Sequence, residues 1–520
     1  MAFSSNWSRR ASALLLFLLL LGTVLLPADP ASAQPESRVL PQLLNEASSR
    51  PRNTFRVIVQ RIRGNADADR VLANNGGRKL RELPGVDAFV ATLPGRSLAA
   101  LGQHRSVKFI NYDAPLIRTG FVSGNSVGTV FPATVGANSL WAAGTTGLGV
   151  GVAVVDSGVA ANLPDWRDAT GRSRVVASVE FSSLTNSLSD AQGHGTHVAG
   201  IVAGNSWFNN SVPGKYVGIA PEANIISVKV SDDAGMSYTS DVVDAIEWVI
   251  ANRTTHNIRV MNLSLVSSVP ESYKTSILSA AVQRAWFSGI LVVVSAGNSG
   301  PNTMAYPPAN DPFVITVGAA DSKGTTSPAD DGIAPWSSYG TTQDGFSKPD
   351  VVAPGRYIAS ALASSSSTLA KNFPNRITDT NYIWMSGTSM AAPVVAGIAA
   401  LAFEARPTLT NDQVKWLLMN TAQPLSGSPP GQGHGQVNAR SVVNFLGTPG
   451  FANQGLAPSM LLVTPNGATS YSSANWSTAN WSTANWSTAN WSTANWSTAN
   501  WSTANWSTAN WSTATEQSVE

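Results

Sequence analysis

A chain of 520 residues exceeds what one hydrophobic core organises, so two or more folded units are expected. Hydrophobic content of 43% is that of a globular protein, and with only 12% charged residues the surface must be filled by Ser, Thr, Asn, Gly and Ala. The absence of cysteine excludes disulfides and thiolate zinc sites. The net charge of +2 hides an asymmetry, because residues 1–118 carry 16 Lys and Arg against 8 Asp and Glu, and the remainder 17 against 23. A basic front piece beside an acidic remainder suits two parts that dock before separating, although uneven solvated charge would read the same way. No basic stripe with interleaved aromatics occurs, so nucleic acid is not an expected partner.

Taken in chain order, the first element is an export signal. Arg9 and Arg10 precede the apolar run Ala13–Leu26, Pro27 closes it, and Ala31-Ser-Ala33 offers a small-residue cleavage site. The run is shorter than the ~20 residues a spanning helix needs, so residues 1–33 read as a signal peptide. The product is then expected to be secreted, extracellular or periplasmic, with no stable membrane span after signal removal.

Residues 34–118 read as a small α+β unit. Phe55–Gln60 is a strand, Ala66–Asn75 a helix ended by Gly76-Gly77, Val86–Leu93 a strand, Ser97–Gln103 a helix and Val107–Asp113 a closing strand. From Gly147 the pattern changes to short Val- and Ile-rich runs: Val150–Val155, Ile225–Val230, Val260–Leu265, Ile290–Ser295 and Val314–Gly318. Helical stretches such as Thr239–Asn252 and Tyr273–Ser288 lie between them. This alternation predicts a mostly parallel sheet flanked by helices, with functional residues beyond the C-terminal strand edges.

Residues 448–473 read as a linker. From Ala474 the unit Ala-Asn-Trp-Ser-Thr repeats every five residues to Trp511, and eight of the 17 Trp lie in this tail. An odd period turns successive Trp to opposite faces of a flat strand, which excludes a half-buried one. The unit resembles pentapeptide repeats that wind a β-helix, but eight units make too short an uncapped solenoid, so residues 474–520 are expected to be disordered.

Three stretches carry the chemistry, in the order Asp, His, Ser: Val152-Ala-Val-Val-Asp156-Ser-Gly158, Gly193-His194-Gly-Thr-His-Val-Ala-Gly200 and Gly387-Thr-Ser389-Met-Ala-Ala-Pro393. Serine needs a base within hydrogen-bond reach to act as a nucleophile, and the base needs an orienting carboxylate. Ser389 opens an expected helix, Met390–Ala405, with Pro393 placed in its first turn, where a missing N–H is tolerated. Gly193 and Gly195 are expected to clear space around the imidazole. His197, one turn after His194, reads as a packed structural residue, since no third ligand motif accompanies the pair. A fourth stretch, Val292–Gly300, ends in Asn298, whose carboxamide can donate to an oxyanion or cap a turn.

Together these motifs closely resemble the subtilisin-like serine peptidases (subtilases, peptidase S8 family), whose triad runs in this chain order. The resemblance covers about Trp141–Leu446. It implies a subtilisin-like α/β catalytic domain over 137–447, with Asp156, His194 and Ser389 catalytic and an oxyanion hole of Asn298 and the Ser389 N–H. It implies substrate-binding edges at Gly235-Met236-Ser237 and Ser264-Leu265-Val266, where Val266 replaces the family's usual Gly. Ala305 would lie on the floor of the primary pocket. The order of strands and helices in 34–118 resembles the family's inhibitory, folding-assisting pro-segment, which lays its C-terminus through the cleft. The implied protein is a secreted endopeptidase acting on proteins or peptides, self-processed from a proenzyme, with its own pro-segment as intramolecular inhibitor. It needs no cofactor for its chemistry. Structural calcium is compatible with the family, at sites left unassigned. Two other readings remain open: a binding protein on an inactive peptidase scaffold, and a lipase or esterase. The second would carry Gly-x-Ser-x-Gly, where this chain has Gly-Thr-Ser-Met-Ala.

Overall fold

The computed structural model describes residues 38–62, 67–118, 130–206 and 215–462. The expected signal peptide and the repeat tail lie outside the described residues.

The front unit is an antiparallel sheet of β1 (Thr54–Arg61), β2 (Arg78–Leu83), β3 (Ala88–Pro94) and β4 (Val107–Tyr112), in the order β2-β3-β1-β4. The pleat sends Phe55, Val57 and Val59 of β1 and Phe89, Ala91 and Leu93 of β3 toward one face. There they pack with the helices Pro41–Ser49, Asp67–Asn74 and Gly95–Gly102. Ile58, Ala88 and Val90 point the other way and are equally buried, against the helices Thr239–Ala251 and Ile277–Phe287 of the following unit. A sheet with one wet face would alternate. The Val-Ile-Val run in β1 reflects two covered faces. The sequence-based elements did not place β2 or the helix Pro41–Ser49. β2 is an edge strand rich in charge (Arg78, Lys79, Arg81, Glu82), which blunts edge pairing but erases the apolar strand signal.

The second unit is built on a sheet ordered β14-β13-β12-β10-β6-β8-β7. These strands are β6 (Gly151–Asp156), β7 (Val175–Glu180), β8 (Asn224–Lys229), β10 (Ile258–Leu263), β12 (Leu291–Ser295), β13 (Ile315–Asp321) and β14 (Gly332–Ile333). All pairings are parallel except β13–β14, and strand Val351–Pro354 also joins β13 in parallel. Helices cover both faces, which is why the strands read as unbroken apolar runs. Val152 and Val154 of β6 pack with the helices His194–Ala203 and Thr388–Ala405, while Ala153 and Val155 pack with Thr239–Ala251 and Ile277–Phe287. The mostly parallel, helix-flanked sheet expected from the sequence is the sheet found.

Helix Thr388–Ala405 is the core of this unit, buried along nearly its whole length. It starts one residue before Ser389, which corrects the placement of Pro393. That residue lies in the second turn, where its missing N–H leaves the Ser389 carbonyl without its helical donor. The Ser264 hydroxyl takes that place at 3.1 Å. Residues 448–462, read as the start of a linker, lie instead on the second unit. Asn453 is buried, accepting from Lys415 Nζ at 2.9 Å and donating to the Phe313 carbonyl at 2.8 Å. A stretch poor in apolar periodicity was held by buried polar contacts, which composition does not reveal.

Candidate active site

Parallel strands place their C-terminal ends on one edge, and four of them deliver the site. β6 ends in Asp156, β10 in Leu263 just before Ser264, β12 shortly before Asn298, and β8 shortly before the turn that carries Gly235. His194 and Ser389 come from the first turns of two helices that pack against each other, His194–Ala203 and Thr388–Ala405. All three of Asp156, His194 and Ser389 are buried.

His194 Nδ1 lies 2.8 Å from Asp156 Oδ1 and 2.9 Å from Oδ2. A carboxylate there accepts only, so Nδ1 carries the proton and Nε2 is the basic nitrogen. The Asp156 carboxylate is itself fixed by the Ser157 N–H at 2.7 Å. The Ser389 hydroxyl donates to the Ser264 carbonyl at 3.2 Å, and Asn262 Nδ2 donates to the Ser264 hydroxyl at 3.0 Å. Two reciprocal bonds therefore tie the end of β10 to the start of the Ser389 helix.

Asn298 Oδ1 accepts from the Thr388 N–H at 2.9 Å and from the Thr388 hydroxyl at 3.0 Å, and that hydroxyl accepts from the Gly297 N–H at 3.1 Å. With Oδ1 committed to accepting, Nδ2 is the end of the carboxamide that can face an oxyanion. Gly297 reaches this turn with φ +107°, a conformation that favours glycine.

Asp190 is the residue that sequence reasoning missed. Fully buried, its Oδ1 accepts from the Ser157 hydroxyl at 2.8 Å and the Gly193 N–H at 2.7 Å. Its Oδ2 accepts from the Thr196 N–H at 2.8 Å and the Thr196 hydroxyl at 2.6 Å. Burial lifts its carboxyl above the ordinary carboxylate range, against the pull of these bonds. The Ser157 hydroxyl meanwhile accepts from the Gly195 N–H at 2.8 Å. One carboxylate thus locks the Asp156 turn onto the first turn of the His194 helix. The signal was an Asp four residues before His194 in a segment otherwise small and polar.

Gly195 has a different reason from the one expected. A Cβ there would lie 2.1 Å from the Gly158 carbonyl oxygen, so the glycine lets the helix touch the Asp156–Gly158 turn rather than clearing the imidazole. His197 is buried, with Nε2 2.9 Å from the Ile383 carbonyl and 3.1 Å from that of Ile358. Burial, with the neighbouring His194 second, pushes it down to about 3, so it stays neutral. No group of three or more His, Asp or Glu able to hold a metal occurs among the described residues, and no calcium site is assigned.

The two expected substrate edges are occupied by the front unit's own C-terminus. β5 (Pro115–Arg118) lies between β9 (Ser237–Tyr238) and β11 (Leu265–Ser267) as the central strand of an antiparallel sheet. Arg118 pairs with Leu265, Ile117 with Val266, and Leu116 with both Ser267 and Ser237. Leu116 is buried with Val266 and Leu265 in one apolar cluster. Gly235 (φ +91°) and the exposed Met236 form the turn that leads into β9. Ala305 sits in the loop beside β11, its carbonyl accepting from the Glu271 N–H at 3.1 Å, while the neighbouring Pro307 carbonyl takes the Ser267 N–H at 2.7 Å.

Residues 147–439 match the model of the subtilase family, Peptidase_S8. Serine protease AprX of Bacillus subtilis (strain 168) is 40% identical over 306 residues, spanning 57% of this chain and 67% of the relative. Subtilisin E of the same strain is 34% identical over 362 residues, spanning 69% of this chain and 81% of the relative. Among solved structures, fervidolysin from Fervidobacterium pennivorans, a keratinolytic enzyme related to subtilisin, superposes with a TM-score of 0.59 at 25% identity. That match covers 78% of this chain and 62% of fervidolysin.

Proposed function

The chain belongs to the subtilase family of serine endopeptidases, and on that premise we propose that it is a secreted, self-processing precursor whose triad is Asp156, His194 and Ser389. The observation that carries this is the buried His194–Asp156 pair, held on a helix that packs against the one opened by Ser389.

In this mechanism the Ser389 hydroxyl attacks the scissile carbonyl while His194 Nε2 takes its proton, and Asp156 stabilises the imidazolium that forms. The Asn298 carboxamide and the Ser389 N–H, at the positive end of its helix, receive the oxyanion. His194 then protonates the leaving amine. A water activated by the same imidazole releases the acyl group and restores the serine. The protein's own contribution is made by side chains and backbone donors.

A peptide substrate would bind where β5 now lies, through main-chain bonds to β9 and β11, because main chain is what all protein substrates share. Residues 34–118 act in this proposal as the inhibitory pro-segment, and β5 is the strand on its way to the cut. Since Arg118 pairs with Leu265, and Ser264, one residue before it, is tied to Ser389, the processed bond lies a short way past Arg118. Charge supports the docking, with Arg81 paired to Asp241 at 2.8 Å and also to Asp244. The basic, apolar leader favours export.

Ser389→Ala should leave the full-length precursor uncut on a gel, with N-terminal sequencing of the wild type starting just past Arg118. A mature band arising from the purified mutant alone would refute the assignment.

A further inference from the structure

The family match ends at residue 439, yet the chain continues across the catalytic body to residue 462. From Asn453 onward it runs as a strap over the segment before helix Ile277–Phe287. Tyr273 Oη donates to the Ala457 carbonyl at 2.8 Å, and Gln283 Oε1 accepts from the Ser459 N–H at 2.7 Å. The Lys274 carbonyl accepts from the Met460 N–H and the Ser459 hydroxyl, both at 3.0 Å. The front unit grips the same segment from its other side, where Asn111 Nδ2 donates to the Thr275 carbonyl at 2.8 Å.

Strap and front unit then meet directly. Gln60 of β1, fully buried, donates to the Leu461 carbonyl at 2.8 Å and to the Val86 carbonyl at 3.0 Å. The Leu461 side chain is 2% exposed. It shares one apolar cluster with Ile58, Val86 and Val90 of the front unit and with Ile246 and Val282 of the two docking helices. Gln60 is a polar group buried in the docking face beside Ile58, Val86 and Val90, where an unsatisfied amide is costly. The Leu461 carbonyl is one of the two acceptors its Nε2 reaches.

We propose that the strap Asn453–Leu462 is the third wall of the surface on which residues 34–118 dock, beside the helices Thr239–Ala251 and Ile277–Phe287. The strap sets how tightly the pro-segment is held once the chain has been cut. This rests on the proposed role of residues 34–118 as an intramolecular inhibitor. Departure of the pro-segment uncovers Leu461 and hands its carbonyl to water, so latency depends on chain beyond the family's matched region.

The test compares full-length wild type with Leu461→Ala, with Gln60→Ala, with the double variant, and with a chain stopped after Gly455. After self-cutting, the retained pro-segment is followed by gel filtration, and the lag before full peptidase activity is timed on a peptide substrate. Each single variant should shorten the lag about ten-fold, as truncation at a buried contact does. The double variant should be no faster than the faster single, because both remove one contact. Mature Leu461→Ala enzyme, freed of pro-segment, should keep the wild-type kcat/KM. Gln60→Ala leaves the catalytic body untouched, so its lag reads docking alone. A latent wild type with an unchanged lag in both single variants would overturn the proposal, as would fully additive effects. A wild-type complex active at full rate with the pro-segment still bound would defeat the inhibitor assignment itself, and the strap's role with it.

Discussion

A buried carboxylate with four donors around it separates support from chemistry at the residue scale. Asp190 touches no reacting atom of the proposed mechanism, but it holds Ser157 and the Gly193 and Thr196 N–H groups in one arrangement. Asp190→Asn keeps the size and converts one acceptor oxygen into a donor facing other donors. Turnover per fluorophosphonate-titrated site should fall about 10- to 100-fold, the range for losing a group that orients a catalytic ligand, with KM little changed. Wild-type kcat in titrated Asp190→Asn enzyme would remove the residue from the positioning network. Asn262 and Thr388 belong to the same class. Thr388 bonds Asn298 and the Gly297 N–H, remote in the chain, and Asn262 bonds Ser264 two residues on; neither pairing shows in the sequence pattern.

Between elements, contact distance is set by what is missing as much as by what is present. The His194 helix approaches the Asp156 turn closely enough that Gly195 has no room for a methyl, with the Gly158 carbonyl 2.1 Å and Asp156 Cβ 3.1 Å from its would-be Cβ. Gly195→Ala must therefore push the helix off the turn. Overpacking of this kind costs about 1–3 kcal/mol. The larger effect should be on rate, about 10²-fold, because the imidazole moves relative to its carboxylate. Stopped-assay kinetics alongside thermal melting check both, and a variant that melts early but turns over normally would show that the close approach serves stability alone. At the same scale, Pro393 trades a helical hydrogen bond for the Ser264 hydroxyl, coupling the helix opened by Ser389 to the proposed substrate-binding edge.

Across the whole molecule, two folded units share one buried face, and a titratable group sits beside it. Glu271 is fully buried next to Ser276 and Asn111 of the front unit, and burial pushes it up to about 7 despite those two hydrogen bonds. If residues 34–118 leave as the proposed pro-segment and uncover it, it would ionise near the ordinary ~4.3. Docking then takes up a proton between those values, so the hold on the pro-segment weakens as pH rises from about 4.3 to about 7 and levels off above. Glu271→Gln, neutral throughout, should flatten that part of the pH dependence of pro-segment retention, measured by gel filtration at constant ionic strength. An unchanged pH profile in the variant would assign the dependence to other groups.

Much of this was legible in the chain alone. Buried parallel strands announce themselves as Val-rich runs because both faces are covered, and three short motifs singled out residues 156, 194 and 389 because the chemistry demands those side chains in small surroundings. The two backbone edges at 235–237 and 264–266 could also be named, but only from the family resemblance. What only the tertiary structure decided is everything held by polar contacts between remote segments: Asp190 under the His194 helix, β5 lying between those two edges, and the strap at 453–462. Hydrophobic periodicity is a local property of the chain and survives in one dimension, whereas a buried hydrogen bond belongs to a pair and appears only when folding brings both partners together.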